Sequence, residues 1–393
     1  MKNLRLSGLF WLLLLAVPTA ILLRGYEAGS GFLSLIEFGE GFAGRQLPEV
    51  QAVNPPESSF SGYDGQFYAQ IAIDPSLQHP SLQTAVDNFS WRSKRIGLPA
   101  LAHLLGLGRP AWVLQAYALL NIAFWLGLLW LIHHYYDLRK AQGRWLAAAL
   151  LLCTGTLFSL DRALIDLPAL LMSLLALYLD IHWASAAALM AVAVLFKETA
   201  VISAPALAWP WKKGWKQAIG SALVIVLPAV LWFTYVEWQA VSEDATLFNP
   251  RAKITIPLIG LGFKFFSALQ QLLLDLRNMQ IFSTVFANHI FELIAPLSLL
   301  AQALYFLLHR RWQDSLWRYG AGFAVLLFLL GPAIWEEQAG YTRILLPLTA
   351  AFNLLLYEYE HGNRHRWWYL AGNLGMATLL LQTLLYIVAS LLN

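Results

Sequence analysis

Apolar stretches of about 17 to 25 residues, uninterrupted by charge, recur along this chain and constrain its fold more than any other feature. A helix rises about 1.5 Å per residue, so roughly 20 such residues cross the ~30 Å hydrocarbon core of a bilayer. These stretches place spans near 7–23, 111–132, 146–160, 163–180, 184–196, 198–210, 217–236, 283–308, 319–334, 344–357 and 368–390. The expectation is an all-α polytopic membrane protein, a single transmembrane domain over 1–393 with about 11 transmembrane helices. The fifth and sixth spans are short for a full crossing, which points to tilted, broken or re-entrant segments.

Composition agrees. Charged residues make up 12% of the chain, against roughly 25% in a soluble domain, which argues against a water-soluble enzyme. The formal net charge is +3 and the basic residues are dispersed, so no contiguous basic face for nucleic acid is expected. Cys153, the one cysteine, lies inside an apolar run and implies neither an intrachain disulfide nor a thiolate metal cluster. Lys2 and Arg5 precede the first apolar run as in a signal peptide, but Pro18–Arg24 offers no small-x-small cleavage site. That segment reads as an uncleaved first span.

Charge also orients the spans. With a cytoplasmic N-terminus the inside loops are 1–6, 133–145, 181–183, 211–216, 309–318 and 358–367, and they hold half of the 26 Lys and Arg, Lys212 and Lys213 among them. The positive-inside rule favours that orientation. Trp145, Trp183, Trp211, Trp215, Trp312, Trp367 and Trp368 fall at the same edge, as interfacial belts do. Two long segments, 24–110 and 237–282, remain on the outside, where chemistry has room. The first is expected to carry short interfacial helices.

Within it, Tyr63-Asp64-Gly65-Gln66-Phe67-Tyr68 opens a predicted helix that ends at Pro75. A carboxylate at a helix N-terminus is held ionised and can act as a general base towards a hydroxyl; Asp64 is either such a base or a plain N-cap. Trp91-Arg92-Ser93-Lys94-Arg95 puts three cations on the outer side, against the positive-inside preference. They suit an anionic lipid phosphate, Arg95 first among them, or ordinary anionic headgroups. Asp166 is expected about a turn inside the fourth span, where an ionisable group is costly and therefore a functional candidate. Asp161-Arg162 is either part of that site or a simple turn. Lys197-Glu198 either neutralises itself or directs Lys197 at a phosphate, and Arg343, after Tyr341, either clamps a phosphate or snorkels. Outer-loop aromatics, Phe60, Tyr63, Phe67, Tyr68, Phe89 and Trp91, could stack on a sugar ring or sit in lipid. His289 and Glu292, spaced i, i+3, could be two metal ligands, but a satisfied helix pair is the plainer reading. No P-loop, GxGxxG, HExxH or GxSxG string occurs.

Together these residues resemble the GT-C superfamily of membrane glycosyltransferases, akin to dolichyl-phosphate-mannose-dependent mannosyltransferases and closest to bacterial members. The resemblance rests on the Tyr63–Tyr68 string after a first span, on Asp161 to Asp166, on Lys197-Glu198-Thr199, and on Tyr341-Thr342-Arg343 before a Leu-Leu-Pro helix. It implies inverting transfer of a hexosyl or mannosyl group from a polyprenyl-phosphate sugar to a lipid, glycan or protein hydroxyl on the periplasmic face of a bacterial inner membrane. Asp64 would be the base, with Arg95, Lys197 and Arg343 holding the carrier phosphate. Glu198, Asp161, Asp166, Gln66, Tyr68 and Tyr341 would line the substrate site. Many family members carry an acidic pair in this loop, whereas Gly65 follows Asp64 here, so a divalent metal is not implied. The competing expectations are a lipid or glycolipid transporter, which should show polar residues through the midplane, and a non-catalytic subunit of a polysaccharide assembly complex.

Overall fold

The computed structural model describes residues 2–58, 61–179, 182–208, 214–240, 253–278, 284–377 and 380. Trp211, Lys212, Lys213, Phe60, most of the last expected span and the 241–252 and 279–282 parts of the second long outer segment lie outside the described residues. The protein is helical almost throughout, the exception being a short parallel strand pair, Phe38–Gly39 with Glu57–Ser58. It is a membrane protein. Among the described residues three helices are long and apolar enough to cross a bilayer, Pro110–Tyr135, Trp215–Gln239 and Asn288–Leu308; the pair Ala141–Leu151 and Thr154–Asp161, bent by 47°, is apolar enough only when taken together, as a broken span or a re-entrant loop. Phe10–Arg24, Asp166–Tyr178, Trp183–Phe196 and Ser315–Leu329 are shorter apolar helices.

The chain forms two compact units, Met1–Tyr135 with Phe158–Ala245, and Tyr136–Leu157 with Thr246–Asn393. In the first, Trp183–Phe196 packs against both Asp166–Tyr178 and Trp215–Gln239. The contact is built from Ala176, Ala186, Ala187, Met190, Ala193, Val194 and Ala229, small side chains that let helix backbones approach where lipid supplies no hydrophobic drive. In the second, Ser315–Leu329 packs on Leu346–Tyr359, and Ile259–Arg277 on Thr284–Leu308.

Four expectations change. The sixth span is a 3₁₀ helix, Glu198–Ala206; Thr199, Val201 and Ile202 are β-branched and Pro205 withdraws an N–H, so an α-helix is not sustained. The second long outer segment contains a helix, Ile259–Arg277. Its Lys264 and Asp275 are buried while Phe263, Phe266, Leu269 and Leu273 are exposed, the reverse of a water-soluble amphipathic helix, and its charges and Gln270-Gln271 hide it from a hydropathy reading. The helix Asp64–Ile73 is not interfacial, since every residue from Gly65 to Ala72 is buried. Asp166 is the first residue of its helix rather than a turn inside it.

Candidate functional site

The expected helix starts at Asp64, as its sequence predicts, and ends at Ile73, short of the expected stop at Pro75. The N–H of Tyr63 donates to the Glu37 carbonyl at 3.0 Å. At the other end Asp74 accepts the N–H groups of Gln78 and His79 at 2.7 and 2.6 Å, turning the chain away before Pro75 can continue a helix. Gln66 is a latch: its side chain accepts from Gly39 N–H and donates to the Ser61 carbonyl, pinning the helix to the strand pair. Gly65 lets this start lie against backbone, because a Cβ there would stand 2.6 Å from the Arg162 carbonyl and 2.9 Å from that of Ile36.

A short helix, Phe89–Ser93, is capped by Asn88, whose side chain accepts the Trp91 N–H at 2.8 Å. It aims Arg92 at Asp64, 2.7 Å away. The same Nη2 that meets Asp64, and the Nε of Arg92, meet the two carboxylate oxygens of Asp87, each at 2.8 Å, a bidentate grip that fixes the guanidinium plane. Arg95 makes the same kind of fork on Glu198, at 2.7 and 2.6 Å, and donates to the Tyr68 hydroxyl at 2.5 Å. The Trp91 ring carries both guanidiniums on its surface, Arg92 at 5.0 Å and Arg95 at 4.2 Å from its centre. Burial by itself would lower both arginines; Asp64 and the Asp87 carboxylate outweigh it for Arg92, and Glu198 for Arg95, so both are held above their ordinary value and stay charged.

Lys197 does not pair with its neighbour. It donates to Asp166 at 2.5 Å, with side chains 8% and 1% exposed. The stretch carrying Arg95 reaches Lys197-Glu198 because residue 97 is glycine, where a Cβ would lie 2.8 Å from the Phe196 ring and 2.9 Å from its backbone nitrogen. On the other side of Asp64, Asp161 pairs with Arg24, and Arg162 pairs with Glu37 beneath the Tyr63 ring. Asp161-Arg162 is thus two cross-links and not a bare turn.

The first unit therefore gathers Asp64, Tyr68, Arg95, Asp166, Lys197 and Glu198 into one network, with Asp64 a quarter exposed at its edge. Tyr341 and Arg343 belong to the second unit, both buried. There Lys264 lies 5.8 Å over the Tyr341 ring and pairs with Glu292 at 3.1 Å, while His289 meets Asp275 at 2.6 Å. His289 and Glu292 thus have separate partners, and no group of three metal-binding side chains is found among the described residues. Sequence reasoning noticed Arg92 only as one of a cluster and missed Asp87 and Glu37. The clue for Arg92 was available: it and Arg95 are spaced i, i+3, and the Arg95 N–H donates to the Arg92 carbonyl in the turn that closes the short helix. No family model, curated protein or solved structure matches the chain.

Proposed function

We propose that this chain is an inverting glycosyltransferase with about 11 transmembrane helices, N-terminus cytoplasmic and active face outward in a bacterial inner membrane. It would take a sugar from a polyprenyl-phosphate carrier and pass it to a hydroxyl acceptor. The observation that carries the reading is Asp64: a partly exposed carboxylate at the first turn of a buried helix, steered by an arginine that is itself clamped from behind by Asp87. Such a carboxylate can take the proton of an acceptor hydroxyl as that oxygen attacks the anomeric carbon from the face opposite the phosphate. Arg95 and Lys197 are the cations of the first unit that would meet the leaving phosphate and the charge it develops. For Arg95 and Lys197 this means exchanging a carboxylate oxygen for a phosphate oxygen, anion for anion, so the local charge balance survives. Tyr68, held by Arg95, would line the sugar.

The test is direct. Purified protein in detergent, given a panel of polyprenyl-phosphate sugars and a lipid extract as acceptor, should release polyprenyl phosphate, and Asp64→Asn should reduce release at least about a hundredfold, the usual weight of a general base. If donors bind but none is turned over by wild type, the transporter or the assembly subunit becomes the better account.

A further inference from the structure

In the second unit the helix Ile259–Arg277 is fastened to its neighbours at two places, and both lie on one side of the membrane. At its start the chain is stitched to the C-terminal end of Ser315–Leu329: the N–H groups of Thr255 and Leu258 donate to the carbonyls of Leu329 and Phe328 at 3.0 and 2.8 Å, and the Gly331 N–H donates to the Lys253 carbonyl at 2.7 Å. Residue 260 is glycine, where a Cβ would stand 2.8 Å from the Trp335 ring. Further along, Lys264 meets Glu292 at 3.1 Å, and Asp275, two residues before the helix ends, meets His289 at 2.6 Å. Both partners lie in the first half of Thr284–Leu308. That helix contains the candidate span Asn288–Leu308 and leads through the short connection 309–314 into Ser315–Leu329, which packs back on it. The start of the one and the end of the other are therefore at the same membrane face. With 19 residues Ile259–Arg277 is about 28 Å long, so standing upright from Leu330 it would carry Asp275 across the bilayer, far from His289. It lies flat across the ends of the two helices.

Its two faces differ in chemistry. Lys264, Ala268 and Asp275 are buried against the neighbouring helices, whereas Ile259, Phe263, Phe266, Leu269 and Leu273 are exposed. Ile259, Phe266 and Leu273 recur every seven residues, close to two turns, so the apolar line runs the length of the helix and looks away from the bundle at the depth of the span ends. We infer that Ile259–Arg277 is a lipid-surface helix, lying in the plane of one leaflet with its Phe263, Phe266, Leu269 and Leu273 face seated in the acyl chains. An ordinary interfacial helix turns its charges to water and to anionic headgroups; here Lys264 and Asp275 are spent on Glu292 and His289. Apolar area therefore holds this helix in the membrane, and headgroup charge has little part in it. This seating is independent of what the first unit catalyses.

The test places a nitroxide on Phe266→Cys, Leu273→Cys and, as the control on the exposed flank, Gln271→Cys, in the full chain reconstituted into phosphatidylcholine vesicles; Cys153 is buried and gives little background. Collisions with oxygen, which partitions into lipid, are compared with those of an aqueous nickel chelate. Phe266→Cys and Leu273→Cys should favour oxygen at one common depth, about 5–10 Å into the headgroup and acyl boundary, while Gln271→Cys favours nickel. The depths should not change when phosphatidylglycerol replaces part of the phosphatidylcholine. Leu269→Cys takes the place of either apolar site whose variant does not fold. Nickel access at the apolar sites would put the face in water. Depths differing by about 10 Å between 266 and 273, the rise of seven residues, would stand the helix upright. Dipolar coupling between labels with loss of oxygen access would mean that a second copy covers the face, and insertion only with phosphatidylglycerol would make headgroup charge the anchor. Each of these four results overturns the inference.

Discussion

At the scale of single residues, the informative feature is who partners whom. Lys197 and Glu198 are adjacent and opposite in charge, yet each reaches across the first unit, to Asp166 and to Arg95 respectively. A buried pair that loses one member leaves a bare charge behind, at a cost of about 3–5 kcal/mol, whereas replacing both by apolar groups is close to neutral. Lys197→Met should therefore lower the unfolding temperature sharply, and Lys197→Met with Asp166→Leu should recover most of it; equal damage from both would refute the pairing. The pH behaviour has a definite sign too. Arg92 and Arg95 are held above their ordinary value, so their contribution to stability is complete through neutral and moderately alkaline pH and is lost only when the pH rises past the arginine range. The stability difference between wild type and Arg95→Met should stay flat from about pH 7 to pH 10, measured by thermal unfolding, and a decline in that window would contradict it. Asp64, Arg95, Lys197 and Arg343 were legible as candidates because a charge in an apolar chain is conspicuous. Asp166 and Glu198 were candidates too, but the pairing was not legible, since Glu198 lies 103 residues from Arg95.

Helices and turns position those residues through close backbone contact. Gly65 and Gly262 are both helical glycines, but an added Cβ at Gly65 meets two carbonyls under 3.0 Å away, whereas at Gly262 nothing lies within 4 Å. Gly65→Ala should cost about 1–3 kcal/mol through overpacking and displace Asp64, lowering any turnover with it. Gly262→Ala should gain about 0.5–1 kcal/mol through helix propensity alone. Unfolding temperatures of the two variants, measured side by side, check the contrast, and two equal effects would refute it. The helix start at Asp64 and its stop before Pro75 were readable, because caps and prolines act within one turn. The helix Ile259–Arg277 was not: it turns Lys264 and Asp275 inward and leucines and phenylalanines outward, so its stability comes from ion pairs with Glu292 and His289 on the neighbouring helix. Average hydropathy cannot register a pattern that pairing inverts.

For the whole molecule the membrane assignment rests on helices long and apolar enough to cross a bilayer. Exposed tryptophans 145, 215, 312 and 367 fit the proposed interfacial belt. Orientation can be tested by labelling, because native Cys153 is buried and gives little background. With the N-terminus inside, Gln78→Cys should react with an impermeant maleimide in intact cells and Arg139→Cys only after permeabilisation; both positions are exposed. The opposite result would reverse the topology. Hydropathy, proline and helix-end signals are local, so the sequence by itself determined that the chain is helical, that it belongs in a membrane, and where most helices run. Which carboxylate answers which cation and which glycine admits a backbone depend on residues brought together from distant parts of the chain. Only the tertiary structure decided these, because buried charges and polar groups choose partners by distance in space, and distance along the chain does not encode it.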